Sequence, residues 1–256
     1  MPLALIAIGF IAGIAAGMFG IGGGVIIVPA LVTFVSFTLT QATGTSLAAL
    51  LMPVSIFAVF EYHRAGKLHI ATAAWVALGL AIGALGGANL ALSLDTRTLQ
   101  QLYGIFLIYA GWRFAEPRKW LSKAQTAQES DEKTATAVGR WYWLLAIGLL
   151  AGVASGMFGI GGGIVIVPAL VGLLRFDQKT AVGTSLAALL LPVALGGVYA
   201  YYVAGELDIG VAALVAVGLV GGAFVGAKVA LGLPSLTVRR LYGLFLFAAA
   251  VRFILS

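Results

Sequence analysis

Residues 17–32 read GMFGIGGGVIIVPALV, and residues 156–171 read GMFGIGGGIVIVPALV. The two agree at 14 of 16 positions, and both mismatches exchange valine and isoleucine. At the same offset of 139 residues, GTSLAALLMPV at 44–54 matches GTSLAALLLPV at 183–193 at 10 of 11 positions. The register still holds at Leu102-Tyr103-Gly104 against Leu241-Tyr242-Gly243, and at Arg113-Phe114 against Arg252-Phe253. Agreement in one register over this span is an internal duplication. The fold is therefore expected as two copies of one unit.

The copies are expected to sit in lipid. Of 256 residues, 61% are hydrophobic and only 9% charged, too few charges to cover a soluble surface. Apolar runs cover 3–37, 42–60, 70–94, 98–115, 142–174, 181–204, 209–234 and 241–255. A bilayer core of about 30 Å takes roughly 20 helical residues to cross. Barrel strands would alternate apolar and polar residues, which these runs do not. The fold class expected is an all-α polytopic membrane protein, organised as a transmembrane repeat at 1–115, a linker at 116–140 and a second repeat at 141–256. The linker carries 9 of the 24 charged residues, as a solvated segment should. The first apolar run has no basic stretch before it and recurs in mid-chain, so it reads as a mature helix and not a leader.

Each repeat opens on a long apolar run broken by glycines. If the break is a hairpin, each repeat has five membrane-embedded helices and the copies are inverted. If the run crosses once, each has four and the copies are parallel. The hairpin reading puts 13 Lys and Arg on one side and 2 on the other, whereas the parallel reading splits them 9 to 6. Cytoplasmic loops carry the excess of positive charge, so ten helices in two inverted repeats are expected, with the linker in the cytoplasm. The same rule accounts for the net charge of +6 without a nucleic-acid partner. Loop 61–69 (EYHRAGKLH) is basic while its counterpart 200–208 (AYYVAGELD) is acidic, consistent with opposite sides.

The candidate site lies at the breaks. Gly20, Gly22, Gly23 and Gly24, repeated as Gly159, Gly161, Gly162 and Gly163, place four glycines in five residues. Each interior glycine costs about 1 kcal/mol of helix stability relative to alanine. The helix that restarts after them has unpaired N–H groups and the positive end of its dipole facing the break, a ready anion site. Irregular backbone at membrane depth must be buried or line a cavity, and inverted repeats would bring two such tips together near the midplane. Close helix packing is the plainer explanation for a glycine in a membrane helix, and it is assigned to Gly79, Gly83, Gly86 and Gly87. Thr45, Ser46, Thr184 and Ser185, with Thr43 beside them, supply hydroxyls that either donate to an anion or bond their own helix. Pro29, Pro53, Pro168 and Pro192 should kink or interrupt their runs. Lys228, about a turn from the run's end, is expected to snorkel, and its counterpart Asn89 to bond between helices or line a path. Glu61, His63 and His69 show no metal-ligand spacing, and no nucleophile-and-base set occurs, so neither a metal, a cofactor nor an enzyme is expected. No carboxylate interrupts a span, which points to an anionic substrate and not a cationic one.

The duplicated GMFGIGGGxxxVPAL followed by GTSLAALLxPV resembles the sulfite exporter TauE/SafE family over both halves of the chain. The resemblance implies a secondary exporter of sulfite, an organosulfonate or a related sulfur-containing anion, driven by a coupling proton or ion and seated in the cell (inner) membrane. A passive anion channel is the alternative. What carries over is the pair of glycine motifs and the two Thr-Ser pairs. The chain contains no cysteine, unlike thiosulfate-handling membrane proteins that depend on thiols.

Overall fold

The computed structural model describes residues 1–115 and 141–234, with side chains described outside 107–115. Among the described residues it is all-helical. The first repeat runs α1 (Pro2–Phe19), α2 (Gly24–Phe34), α3 (Leu39–Leu51), α4 (Ile56–Arg64), α5 (Ile70–Ser93) and α6 (Thr96–Ala115). The second runs α7 (Trp141–Phe158), α8 (Gly163–Gly172), α9 (Gln178–Leu190), α10 (Leu195–Val203) and α11 (Ile209–Gly232). The last apolar run, 241–255, lies outside the described residues.

Four helices, α1, α5, α7 and α11, are long and apolar enough to cross a membrane. The count rises to six if α3 with α4 and α9 with α10, bent by 52° and 49°, are each one broken span. The breaks fall at Pro53 and Pro192, where a missing N–H and a ring clash end the preceding helix. Met52 and Leu191 accordingly turn extended, at ψ 151 and ψ 154. Pro29 and Pro168 do not interrupt their helices: each lies inside α2 or α8.

Two helix pairs cross between the repeats. On α1, Gly9, Gly13 and Gly17 lie against the backbone of Val215, Leu219 and Ala223 in turn, so α1 and α11 point the same way. Gly218, Gly222 and Gly226 return the contact onto Ile6, Phe10 and Ile14. The same seam joins α5 to α7, through Gly79, Gly83 and Gly87 on one side and Gly148, Gly152 and Gly156 on the other. A Cβ at any of these twelve positions would overlap a carbonyl oxygen of the partner helix, so the backbones themselves touch. Gly86 is the exception among the assigned packing glycines, because it faces open space. The exterior is apolar, with Leu3, Ile11, Phe57, Phe60, Leu78, Ile82 and Val217 exposed. Such a surface is stable in hydrocarbon and unstable in water. Trp75, Trp141, Tyr142 and Trp143 form a half-exposed aromatic cluster at the starts of α5 and α7, with the Trp75 and Trp141 rings 5.5 Å apart. Indole rings favour the membrane–water boundary.

Side-chain caps start three of the described helices. Thr38 and Gln41 form a capping box on α3, and the Asp177 and Asp208 side chains cap α9 and α11. The helices α1, α4, α5 and α10 lack a side-chain cap, and so do α2 and α8, which start on Gly23 and Gly162 in the left-handed region.

Candidate functional site

The glycine breaks reverse the chain. Gly20 ends α1 in the left-handed region at φ 72, and Gly22 and Gly23 follow at φ 81 and 87, which only glycine adopts without strain. Gly159, Gly161 and Gly162 repeat the conformation at φ 67, 80 and 79. By Gly23 the backbone has come back alongside Ala12, two turns earlier in α1, and Gly162 lies likewise beside Ala151. Each break is thus the tip of a hairpin.

The two tips meet at the centre of the molecule. Gly22 and Gly161 face each other, and each would crowd the other's Cα if it carried a Cβ. Gly24 rests on the Gly159 carbonyl, and Gly163 rests on the Gly20 carbonyl, so close that no Cβ fits at either. These two carbonyls are also held by the opposite half. Ser46 Oγ donates to the Gly159 carbonyl and Ser185 Oγ to the Gly20 carbonyl, both at 2.8 Å. Tyr62 Oη donates to the Gly17 carbonyl at 3.0 Å, and Tyr201 Oη to the Gly156 carbonyl at 2.9 Å.

The threonines hold loops. Thr45 Oγ1 accepts from the Asp208 N–H and Thr184 Oγ1 from the His69 N–H, each at 3.1 Å. The four hydroxyls of the Thr-Ser pairs therefore bond to the backbone of another element and do not cap their own helix. Lys67 reaches Asp177 at 3.9 Å, at the start of α9. At the equivalent place Glu206 accepts hydrogen bonds from Thr40 at 3.0 Å and Thr38 at 3.3 Å, at the start of α3. Thus the end of α4 meets the start of α9, and the end of α10 meets the start of α3.

Between the tips lies a cavity of about 20 Å³, room for one water molecule. It is lined by Gly22 and Gly161, by Leu47, Leu50, Leu80 and their counterparts Leu186, Leu189 and Leu219, and by Ala16, Val54, Ser55, Ser155, Val193, Ala194 and Ala223. None of these carries a charge. Among the described residues, the buried N–H groups of Gly22, Gly23, Gly24 and Val25 find no acceptor, nor do those of Gly161, Gly162, Gly163 and Ile164. Buried backbone groups are nearly always paired, so eight unpaired donors at the two tips are exceptional, and N–H groups at helix starts suit negative charge.

The serines of the cavity carry no motif. Only setting the halves against each other reveals them: Ser55 stands opposite Ala194, and Ser155 opposite Ala16. Asn89 is corrected by the structure. Its side chain is exposed and donates to the Leu85 carbonyl of its own helix at 2.8 Å, so it neither bridges helices nor lines the cavity. Lys228 lays its Nζ 4.3 Å from the Phe224 ring centre, one turn back along α11.

A family model described as "Sulfite exporter TauE/SafE" matches residues 5–253. The chain is 27% identical over 235 residues to "Probable membrane transporter protein YdhB" of Bacillus subtilis, covering 92% of this chain and 93% of that one. It is 28% identical over 244 residues to "Probable membrane transporter protein MJ0441" of Methanocaldococcus jannaschii, covering 90% and 86%. A "Probable membrane transporter protein" of Haemophilus influenzae is 28% identical over 282 residues, covering 97% and 96%. No solved structure matches.

Proposed function

The chain belongs to the sulfite exporter TauE/SafE family of membrane transporters, and from that membership we propose that it is a secondary carrier of a small sulfur-containing anion. The substrate class is sulfite or an organosulfonate, moved outward across the cell (inner) membrane at the expense of a proton or ion gradient. The site is the pair of glycine tips, 20–24 and 159–163. The observation that carries this reading is the convergence of two uncapped helix starts, each with unpaired N–H groups, on an uncharged central cavity. Helix N-termini stabilise anions without any basic side chain. Thr45, Ser46, Thr184 and Ser185 belong to the site as the bonds that fix tips and loops.

Alternating access requires two equivalent gates that open to opposite sides. In this reading residues 1–115 and 141–256 are inverted repeats joined by a cytoplasmic linker at 116–140. The start-to-end contacts of Lys67 with Asp177 and of Glu206 with Thr38 and Thr40 support the inversion, because equivalent spans that meet head to tail run oppositely. The central cavity has room for one water and no room for sulfite, which supports a carrier occluded at its centre over an open anion channel.

Counterflow tests the reading. Proteoliposomes loaded with unlabelled sulfite should transiently concentrate labelled sulfite from outside. Flux that dissipates without overshoot would make the protein a channel. For sidedness, cysteines introduced singly at Lys67 and Glu206 should label only from the cytoplasm and only from outside, respectively. Labelling of both from one side would overturn the inversion.

A further inference from the structure

The two tips are alike in backbone but unlike in what surrounds them. Ser155 lies one turn before the second tip and lines the central cavity, yet it is only 2% exposed. Its hydroxyl makes no hydrogen bond among the described residues, although Ser46, Ser55 and Ser185 each donate to a carbonyl. The equivalent residue at the first tip is Ala16. Thr43 packs its backbone against Gly159 of the second tip, and its Oγ1 is fully buried without a partner. Its equivalent, Val182, packs against Gly20 of the first tip with no hydroxyl to offer. Both spare side-chain donors therefore sit at the same tip.

A buried hydroxyl without a partner costs about 1–3 kcal/mol, and here serine and threonine stand where the other copy has alanine and valine. That cost falls on Thr43 Oγ1, which has no partner, while the Ser155 side chain lines the central cavity. We propose that the anion is held at the second tip and not shared equally by the two, with the Ser155 hydroxyl and the free N–H groups of 161–163 as its donors and Thr43 as a further donor on the same side. This assignment rests on the anion-carrier reading and adds which tip binds and through which side chains. Neutral hydroxyls aimed at oxygen select an oxyanion over a halide, because a fixed donor is matched to the separate oxygens of sulfite or a sulfonate.

The test separates a ligand role from a structural one. Ser155→Ala and Thr43→Val in the purified full chain should leave thermal stability without ligand unchanged or slightly raised, since neither hydroxyl bonds to protein. Calorimetric titration with sulfite should show affinity reduced about tenfold for Ser155→Ala, while weaker chloride binding stays as it was. A Ser155→Ala variant that melts several degrees lower shows a structural serine and overturns the proposal. So does one that binds sulfite like the parent. A parent protein that binds none of sulfite, sulfate, thiosulfate and ethanesulfonate removes the anion reading, and this assignment with it. A parent that binds sulfite while Ser155→Ala is unaffected removes the assignment alone.

Discussion

The first tip, 20–24, and the second, 159–163, are the same five residues in the same backbone conformation. Each is held by a serine from the other half, and each has its preceding helix held by a tyrosine of its own half. Around the tips the copies differ in polarity at four pairs: Ala16 against Ser155, Thr43 against Val182, Ser55 against Ala194, Lys67 against Glu206. The shared part is mechanical, because two hairpins that rest on each other's carbonyls must keep the same form. The divergent part is chemical. A duplicated scaffold can bind an asymmetric ligand only by changing side chains that do not bear on this mutual packing.

The strongest break in that comparison comes from Gly24 and Gly163. A methyl group at either would overlap a carbonyl oxygen of the opposite tip, and backbone cannot move aside as a side-chain end can. Gly24→Ala and Gly163→Ala should each cost more than about 3 kcal/mol, at the upper end of overpacking penalties, and yield little folded protein. Detergent-solubilised yield and melting temperature measure it. A variant that folds normally at one tip while the other fails would end the mechanical equivalence.

A milder and more informative pair is Ser46→Ala and Ser185→Ala. Each removes the donor to a buried tip carbonyl, and an orphaned buried acceptor costs about 1–3 kcal/mol. The two melting temperatures should fall by matching amounts, since both bonds are 2.8 Å and fully buried. Unequal losses would sharpen the proposal that the tips carry different loads.

Much of this arrangement was legible in the chain, for reasons that differ from element to element. The helices follow from apolar runs bounded by glycine, proline and charge, and Pro53 and Pro192 break their runs. Pro29 and Pro168 have the same chemistry but lie inside the short helices α2 and α8, and no local pattern announces the difference. The glycine seams on α1, α7 and α11 are spaced at four residues, as those at 79, 83 and 87 are, but spacing does not name the partner helix. The roles of Ser46 and Thr45 could not be read either. Their partners, Gly159 and Asp208, lie 113 and 163 residues away, and only tertiary packing brings them within reach.

The smallest expected effect concerns the two loops, and it separates them by salt. Lys67 and Asp177 are 37% and 49% exposed at 3.9 Å, so their attraction is screened by water and ions and contributes at most about 1 kcal/mol. Glu206 instead accepts two neutral hydroxyls, one of them from Thr38, which also caps α3. Such bonds depend little on ionic strength, whereas a Debye length falling from about 10 Å at 0.1 M to about 3 Å at 1 M removes most of an exposed ion pair. Raising salt over that range should therefore quicken labelling of a cysteine placed at Leu68 and leave one at Leu207, its equivalent, unchanged. Lys67→Gln should reproduce the salt effect at low ionic strength and abolish any further response. If both positions respond to salt alike, the loops are closed by the same forces and the divergence of Lys67 from Glu206 has no mechanical consequence.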